Sequence, residues 1–341
     1  MCLSELNGYR ICSCIIDLFI LPIVCILGLI LNCSCLLVFS RVRSHPLVPA
    51  LIILSSCDLL QLLFSIFVLF IPALHDFTDS DRYGLLGQIA YLSTGFLSPL
   101  LLASNCASIW TITYISIQRH HAIISPLEHM KSPRRRFLPL FLISLSALIF
   151  NMCKWAEFHW KWLEVKRKGQ THWILAHDPS ALFENSKYRT IVDHYLYPIC
   201  VYLIPLILLC VLHFRILTAL STKRISYNHK ARMVQEKRSV ALLISIVILF
   251  FLCHTGGIVF RFVNRPDFPN IDLLVLMVDI VNLLFNVNSF ANPMLYFFFT
   301  RQFSDLRDNF LQVHFPNVRV SGGATSPMGH SFENRSLRVT V

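Results

Sequence analysis

Seven stretches of this chain are apolar over lengths that suit a lipid bilayer: residues 15–39, 48–72, 84–118, 137–153, 195–212, 239–260 and 273–299. A spanning helix needs roughly 17–25 such residues. Inside lipid every backbone N–H and C=O must find its partner within the protein, which a helix achieves by itself. The expected fold is therefore an all-α membrane protein, a seven-transmembrane helix bundle. Composition agrees, with 14% charged residues against about 25% in soluble domains. The third run holds no Asp, Glu, Lys, Arg or His in 35 residues. At about 1.5 Å per residue it is on the order of 50 Å long, so it tilts strongly or projects beyond the bilayer.

Loop charge orients the bundle. Arg41, Arg43, Arg119, Lys131, Arg134, Arg135 and Arg136 fall on one side, with Arg215, Lys223, Arg224, Lys230, Arg232, Lys237 and Arg238. The short loops opposite carry Asp76, Asp79, Asp81, Asp267 and Asp272. Basic loops stay cytoplasmic, which places the N-terminus outside and the C-terminus inside a multi-pass plasma-membrane protein. The net charge of +11 then belongs to these loops and points to no nucleic acid. The loop 154–194 has seven basic and five acidic residues and no assigned order; long loops weigh little in topology.

The domain reading follows: a short extracellular N-terminus (1–14), the bundle (15–299), an amphipathic helix on the inner membrane surface (300–315) and a disordered cytoplasmic tail (316–341). Phe303, Leu306, Phe310 and Leu311 give the surface helix its apolar face against membrane lipid. The first apolar run is long enough to span, so it does not read as a cleavable leader. Seven of the twelve cysteines lie in apolar helical stretches, where cysteine acts as a small hydrophobe.

Polar residues inside the spans carry the functional signal. The last run contains Asn288, Ser289 and Asn292-Pro293-Met294-Leu295-Tyr296. Proline removes a backbone donor and kinks the helix, and the freed carbonyl needs a partner away from water. Span two supplies one carboxylate, Asp58; span one supplies Asn32; span three supplies Ser104, Asn105 and Ser108. A lone carboxylate at mid-membrane must be paired, protonated or metal-bound. Asp58 with Ser108, Asn288, Ser289 and Asn292 makes an oxygen-rich cage for a sodium ion, with Asp58 and Ser108 as candidate ligands. A water-bridged network around a protonated Asp58 satisfies the same residues.

Taken together, the seven spans, Asn32, Asp58, Pro205, the Asn292-Pro293-x-x-Tyr296 motif and the following Phe303 resemble a rhodopsin-family (class A) G-protein-coupled receptor. The resemblance implies an extracellular ligand, a heterotrimeric G protein on the inner face, an allosteric sodium ion and no other cofactor. It also implies roles. Arg119, in Gln118-Arg119-His120, engages the G protein, while Asn292, Pro293 and Tyr296 form the inner hinge. The family restrains this arginine with an adjacent acid and an acid on span six. Here the adjacent residue is the neutral Gln118, and Glu236 is the candidate span-six partner. One restraint of two is lost, so raised basal signalling is expected.

Other departures concern the trigger. Thr94 stands where relatives carry the cysteine that bonds the second extracellular loop, and residues 154–198 contain no cysteine. Cys2, Cys12 and Cys14 have Cys153 and Cys200 as candidate partners instead. On span six, His254 takes a tryptophan position and Gly256 a proline position. His254 is a candidate ligand contact or a satisfied core histidine.

The stretch Ile149 to Phe158 resembles the end of span four in invertebrate FMRFamide-type neuropeptide receptors. A peptide ending in Arg-Phe-amide requires an acid near the outer mouth. Glu157, Asp193 and Asp279 are the candidates, with pairing of Asp279 to Arg261 or Arg265 the competing reading. No acid lies in residues 93–100 of span three, which disfavours amine ligands. A small-molecule chemosensory ligand and a non-signalling decoy remain alternatives. A transporter would show internal repeats. An enzyme would show a recognisable catalytic motif, and an opsin a lysine in span seven; residues 273–299 hold none.

Overall fold

The computed structural model describes residues 7–41, 47–78, 80–81, 83–125, 137–167, 170–222, 230–262 and 270–299, the backbone alone in places. Among the described residues seven helices are long and apolar enough to cross a membrane: Gly8–Ser40, Val48–Phe77, Leu85–Ile124, Phe137–Glu157, Ser186–Ala219, Ile244–Arg261 and Ile271–Leu295. They are called spans one to seven below. Span one begins within the stretch read as an N-terminal extension, and span five begins within the expected outer loop. Both ends look polar in sequence, yet both continue a helix that packs on its neighbours. The surface helix 300–315 and the tail 316–341 lie outside the described residues.

Span three is the hub and packs against spans two, four and five. Spans five and six, six and seven, seven and one, and one and two complete the ring. The burial pattern is that of a protein whose solvent is lipid. Phe19, Ile23, Leu37, Phe141, Phe214 and Leu252 face outward, whereas Asn32, Asp58, Ser108, Asn288, Ser289 and Asn292 are at most 1% exposed. Close approach is local. A Cβ on Gly28 would lie 2.7 Å from Leu62 Cδ1, so the bare backbone there makes room for that leucine side chain between spans one and two.

Proline shapes the helices in two ways. Pro22, Pro72, Pro198 and Pro205 each follow or close a π-helical stretch: Ile16–Ile20, Ile66–Phe70, Thr190–Leu196 and Pro198–Leu203. The proline ring clashes with the carbonyl four residues back, and a widened turn moves that carbonyl aside. Pro99 and Pro293 instead sit inside stretches that remain α-helical.

The expected outer loop adds an element that the sequence reading left unassigned. Strands β1 (Phe158–Arg167) and β2 (Gln170–Pro179) form an antiparallel hairpin. Its register sets Trp160 opposite His177. The strands alternate, but their lysines and histidines mask the period, which is why an apolar scan passes over them. Every described cysteine, including Cys12, Cys14, Cys153 and Cys200, is a free thiol; Cys2 lies outside the described residues.

Candidate functional site

The polar centre is built from four helices. Asp58 is fully buried and its carboxylate accepts three hydrogen bonds. Ser108 Oγ donates to Oδ1 at 2.7 Å, Ser289 Oγ to Oδ1 at 3.1 Å and Asn292 Nδ2 to Oδ2 at 2.8 Å. Spans two, three and seven therefore meet on one charge. Asn32 joins from span one, donating through Nδ2 to the Ser289 carbonyl at 3.1 Å and to the Gly28 carbonyl at 3.0 Å. The Ser289 carbonyl is the one that Pro293, four residues on, leaves without its helical donor. Asn288 is buried in span seven, but neither of its amide atoms has a protein partner.

The residues present fit a small hard cation, which takes oxygen ligands. Asp58 offers a carboxylate. The Ser108 and Ser289 hydroxyl oxygens and the Asn292 Oδ1 atom, which has no protein partner, are the remaining oxygens. Gln61, three residues after Asp58 on the same helix face, donates to the Phe285 carbonyl at 3.0 Å. Sequence inspection overlooked it, although the i, i+3 spacing places it beside Asp58.

At the other end of span three, Gln118 Nε2 donates to Tyr114 Oη at 2.7 Å. Among the described residues Arg119 has no ion pair. Of Glu236 and Tyr296 only the backbone is described, in helices Lys230–Arg261 and Ile271–Phe299; their side chains lie outside the described residues. Pro293 and Asn292 sit on the same face of span seven as Ser289, toward Asp58.

The end of the bundle that loop charge places outside carries a charged cluster that sequence reading found only in part. Lys154 Nζ lies 2.7 Å from Glu157 and 2.8 Å from Asp193, and Arg261 lies 3.6 Å from Asp193. Tyr188 donates to Glu157 at 3.0 Å. Glu157 and Asp193 are thus matched by two cations. Asp279 is not paired with Arg261: it accepts from Ser13 and hydrogen-bonds Asp17 of span one. Arg265 lies outside the described residues. Asp17 is a further acid inside a span, in addition to Asp58 and Asp279, missed because it stands near the start of its apolar run.

The hairpin docks on span three beside Thr94. Trp160 stacks on Phe96 with centroids 4.1 Å apart and lies over Gly95, where a Cβ would come within 2.6 Å of the indole. Trp155 Nε1 donates to the Phe96 carbonyl at 3.0 Å. Tyr91 Oη donates to the His177 carbonyl at 2.5 Å and accepts the His177 N–H at 2.9 Å, while the two rings stack at 4.2 Å. Burial pushes the His177 imidazole below its ordinary range, partly offset by Tyr91 and Asp178. Trp162 and Trp173 face outward.

At the pivot of span six, His254 is 5% exposed, with Nδ1 at 3.1 Å from the Phe250 carbonyl and Nε2 at 3.3 Å from Asn105 Oδ1. Phe285 lies 5.1 Å away across the ring, and Tyr202 bonds Thr255 at 2.8 Å. His254 is tied on both sides within the core.

Seven helices closed around the buried carboxylate of Asp58, with a hairpin over one mouth and Arg119 near the other, define a heptahelical membrane receptor fold. The chain belongs to the 7 transmembrane receptor (rhodopsin family), whose family model matches residues 30–296. It is 24% identical over 304 residues to the FMRFamide receptor of Drosophila melanogaster, covering 87% of this chain and 53% of that protein. The chain thus spans about half the length of that relative. It is also 23% identical over 274 residues to short-wave-sensitive opsin 1 of Rattus norvegicus, covering 76% of this chain and 70% of the opsin.

Proposed function

We propose that this protein is a receptor for an extracellular neuropeptide of the FMRFamide type and that it activates a heterotrimeric G protein. The observation that carries the reading is the chain-wide likeness to the fly FMRFamide receptor. The outer charges support it. Lys154 and Arg261 already balance Glu157 and Asp193, so the acid left for the guanidinium of an Arg-Phe-amide peptide is Asp279, beside Asp17. The opsin likeness carries no light chemistry here, because span seven has no lysine.

In this reading the N-terminus is extracellular. The agonist favours the open bundle because it contacts the outer ends of spans six and seven better in that state. Span six then moves at its inner end, and Arg119 and Tyr296 rearrange toward the G protein. A sodium ion held by Asp58, Ser108, Ser289 and Asn292 favours the closed bundle.

The test is a peptide-library screen on cells expressing the chain, read by calcium and cyclic nucleotide. A peptide ending in Arg-Phe-amide gives a response, and Asp279→Asn shifts its potency more than Glu157→Gln does. A response to a small odorant-like molecule and to no peptide overturns the peptide reading.

A further inference from the structure

The dock on span three accounts for only half of the hairpin. Directly paired residues of an antiparallel ladder share a face. One face therefore carries Trp160 with His177, then Trp162 with Leu175, then Glu164 with Trp173. The first pair is the part that docks, Trp160 on Phe96 and His177 on Tyr91. The other two pairs continue past the helix. At about 3.3 Å per residue, Trp162 lies roughly 7 Å and Trp173 roughly 13 Å beyond the dock. Trp162 is 66% exposed and Trp173 64%.

The place of the dock fixes what this overhang meets. Leu85, Ile89 and Phe96 stand at i, i+4 and i+11 on span three and all face outward, one stripe of the lipid-facing surface. Phe96 is also the residue under Trp160, so the docking face of the hairpin is continuous with that stripe. Depth agrees. Ser108 holds Asp58 at the polar centre, and Phe96 lies roughly 18 Å along the helix axis from it, toward the hairpin. Headgroups occupy roughly 15–22 Å from a bilayer's midplane.

The side chains suit that layer. Near its root the opposite face of the hairpin is polar, with Lys161 paired to Asp178. Farther out it carries Leu163 across from Ile174. The outer half thus has large apolar side chains on both faces, where a half-buried strand pair alternates. A two-stranded hairpin is marginal in water by itself, and this one has no second layer over its outer half among the described residues. Tryptophan has an apolar body and a polar N–H and collects at the headgroup level. The connecting turn reads Lys166-Arg167-Lys168-Gly169, cations suited to lipid phosphates.

We propose that Trp162 and Trp173 anchor the hairpin in the phospholipid headgroup layer beside span three. The hairpin is then held at two points, by the helix through Trp160 and His177 and by the membrane through its outer half. This goes beyond the receptor reading and does not rest on it; it requires only that the spans cross a bilayer.

The test uses the full-length protein, labelled with fluorotryptophan, in phosphatidylcholine nanodiscs. Trp162→Phe and Trp173→Phe assign the two fluorine signals. A spin label on the headgroup of part of the lipid should broaden both signals several-fold more than that of Trp110, which bonds the Cys200 carbonyl between spans three and five. Absence of that excess overturns the proposal. A water-soluble gadolinium chelate then tells which rival holds: broadening by the chelate places the indoles in water, and protection from it means that protein covers them, such as a second copy of the chain. The anchor also has a mechanical readout. Replacing both residues together, Trp162→Ser with Trp173→Ser, should raise hydrogen exchange in residues 158–179 several-fold in the same nanodiscs. Unchanged exchange overturns the anchor even where the label broadens both signals.

Discussion

Asn32 Nδ2 donates to the Ser289 carbonyl at 3.1 Å, the carbonyl that Pro293 deprives of its helical partner. Span one thus completes a hydrogen bond that span seven has lost. A related arrangement recurs at three of the four prolines that follow a π-helical stretch. In a π turn the orphaned carbonyl lies five residues before the proline. For Pro72 it is Phe67, which accepts from Ser93 Oγ at 2.7 Å. For Pro205 it is Cys200, which accepts from Trp110 Nε1 at 3.1 Å. For Pro198 it is Asp193, which accepts from Arg261 at 3.5 Å. Each break in one helix is a joint to another.

The joint at Pro293 predicts a specific coupling. Asn32→Ala leaves the Ser289 carbonyl buried without a donor and costs on the order of 1–3 kcal/mol. With Pro293→Ala the backbone N–H returns, and the same Asn32 change then costs much less. Thermal unfolding of the four purified proteins forms a double-mutant cycle. An Asn32→Ala penalty independent of residue 293 rules the joint out.

The Asp58 cluster predicts ion sensitivity. If the carboxylate, Ser108, Ser289 and Asn292 hold sodium, replacing choline chloride by sodium chloride at constant ionic strength raises the melting temperature. Asp58→Asn abolishes that rise, and Ser108→Ala reduces it. Equal melting temperatures in both salts for the unmodified protein leave the hydrogen-bond network alone as the account of this cluster.

The hairpin predicts a tether that responds to acid and not to reductant. His177 has its pKa depressed by burial between Tyr91 and Trp160, so it docks neutral. Its contribution is present above the ordinary imidazole pKa of about 6.5 and is lost as pH falls through the lower docked value. Hydrogen exchange in residues 158–179 should rise between pH 7.5 and pH 5, and His177→Phe should remove the dependence. Gly95→Leu should raise exchange at both pH values by displacing Trp160. Dithiothreitol should change nothing, since Thr94 and the free thiols offer no bond to reduce.

The seven spans and the Asp58 cluster were legible because lipid forces their pattern. Long apolar runs have no other use, and each polar side chain within them needs a partner nearby. Asn32, Asp58, Ser108, Ser289 and Asn292 could be listed from sequence, and the structure brings them together. Asn288 is buried in the same region without a protein partner. The outer half was less legible. Glu157 and Asp193 look like free acids until Lys154 folds between them, a contact across 39 residues. The hairpin's hold on span three depends on Gly95 lacking a side chain where Trp160 lands, which no periodicity announces. Asp17 was hidden by its position, and its hydrogen bond to Asp279 joins spans one and seven.

The most direct test is nucleotide exchange on purified heterotrimeric G proteins by the receptor in nanodiscs without added peptide. Gln118 bonds Tyr114 at 2.7 Å and offers Arg119 no charge to hold it. The unmodified protein should therefore accelerate exchange above empty discs, Gln118→Asp should lower that rate several-fold, and Arg119→Ala should bring it to background. Exchange that stays at background with every G-protein class tested, or that Arg119→Ala leaves unchanged, would contradict the account.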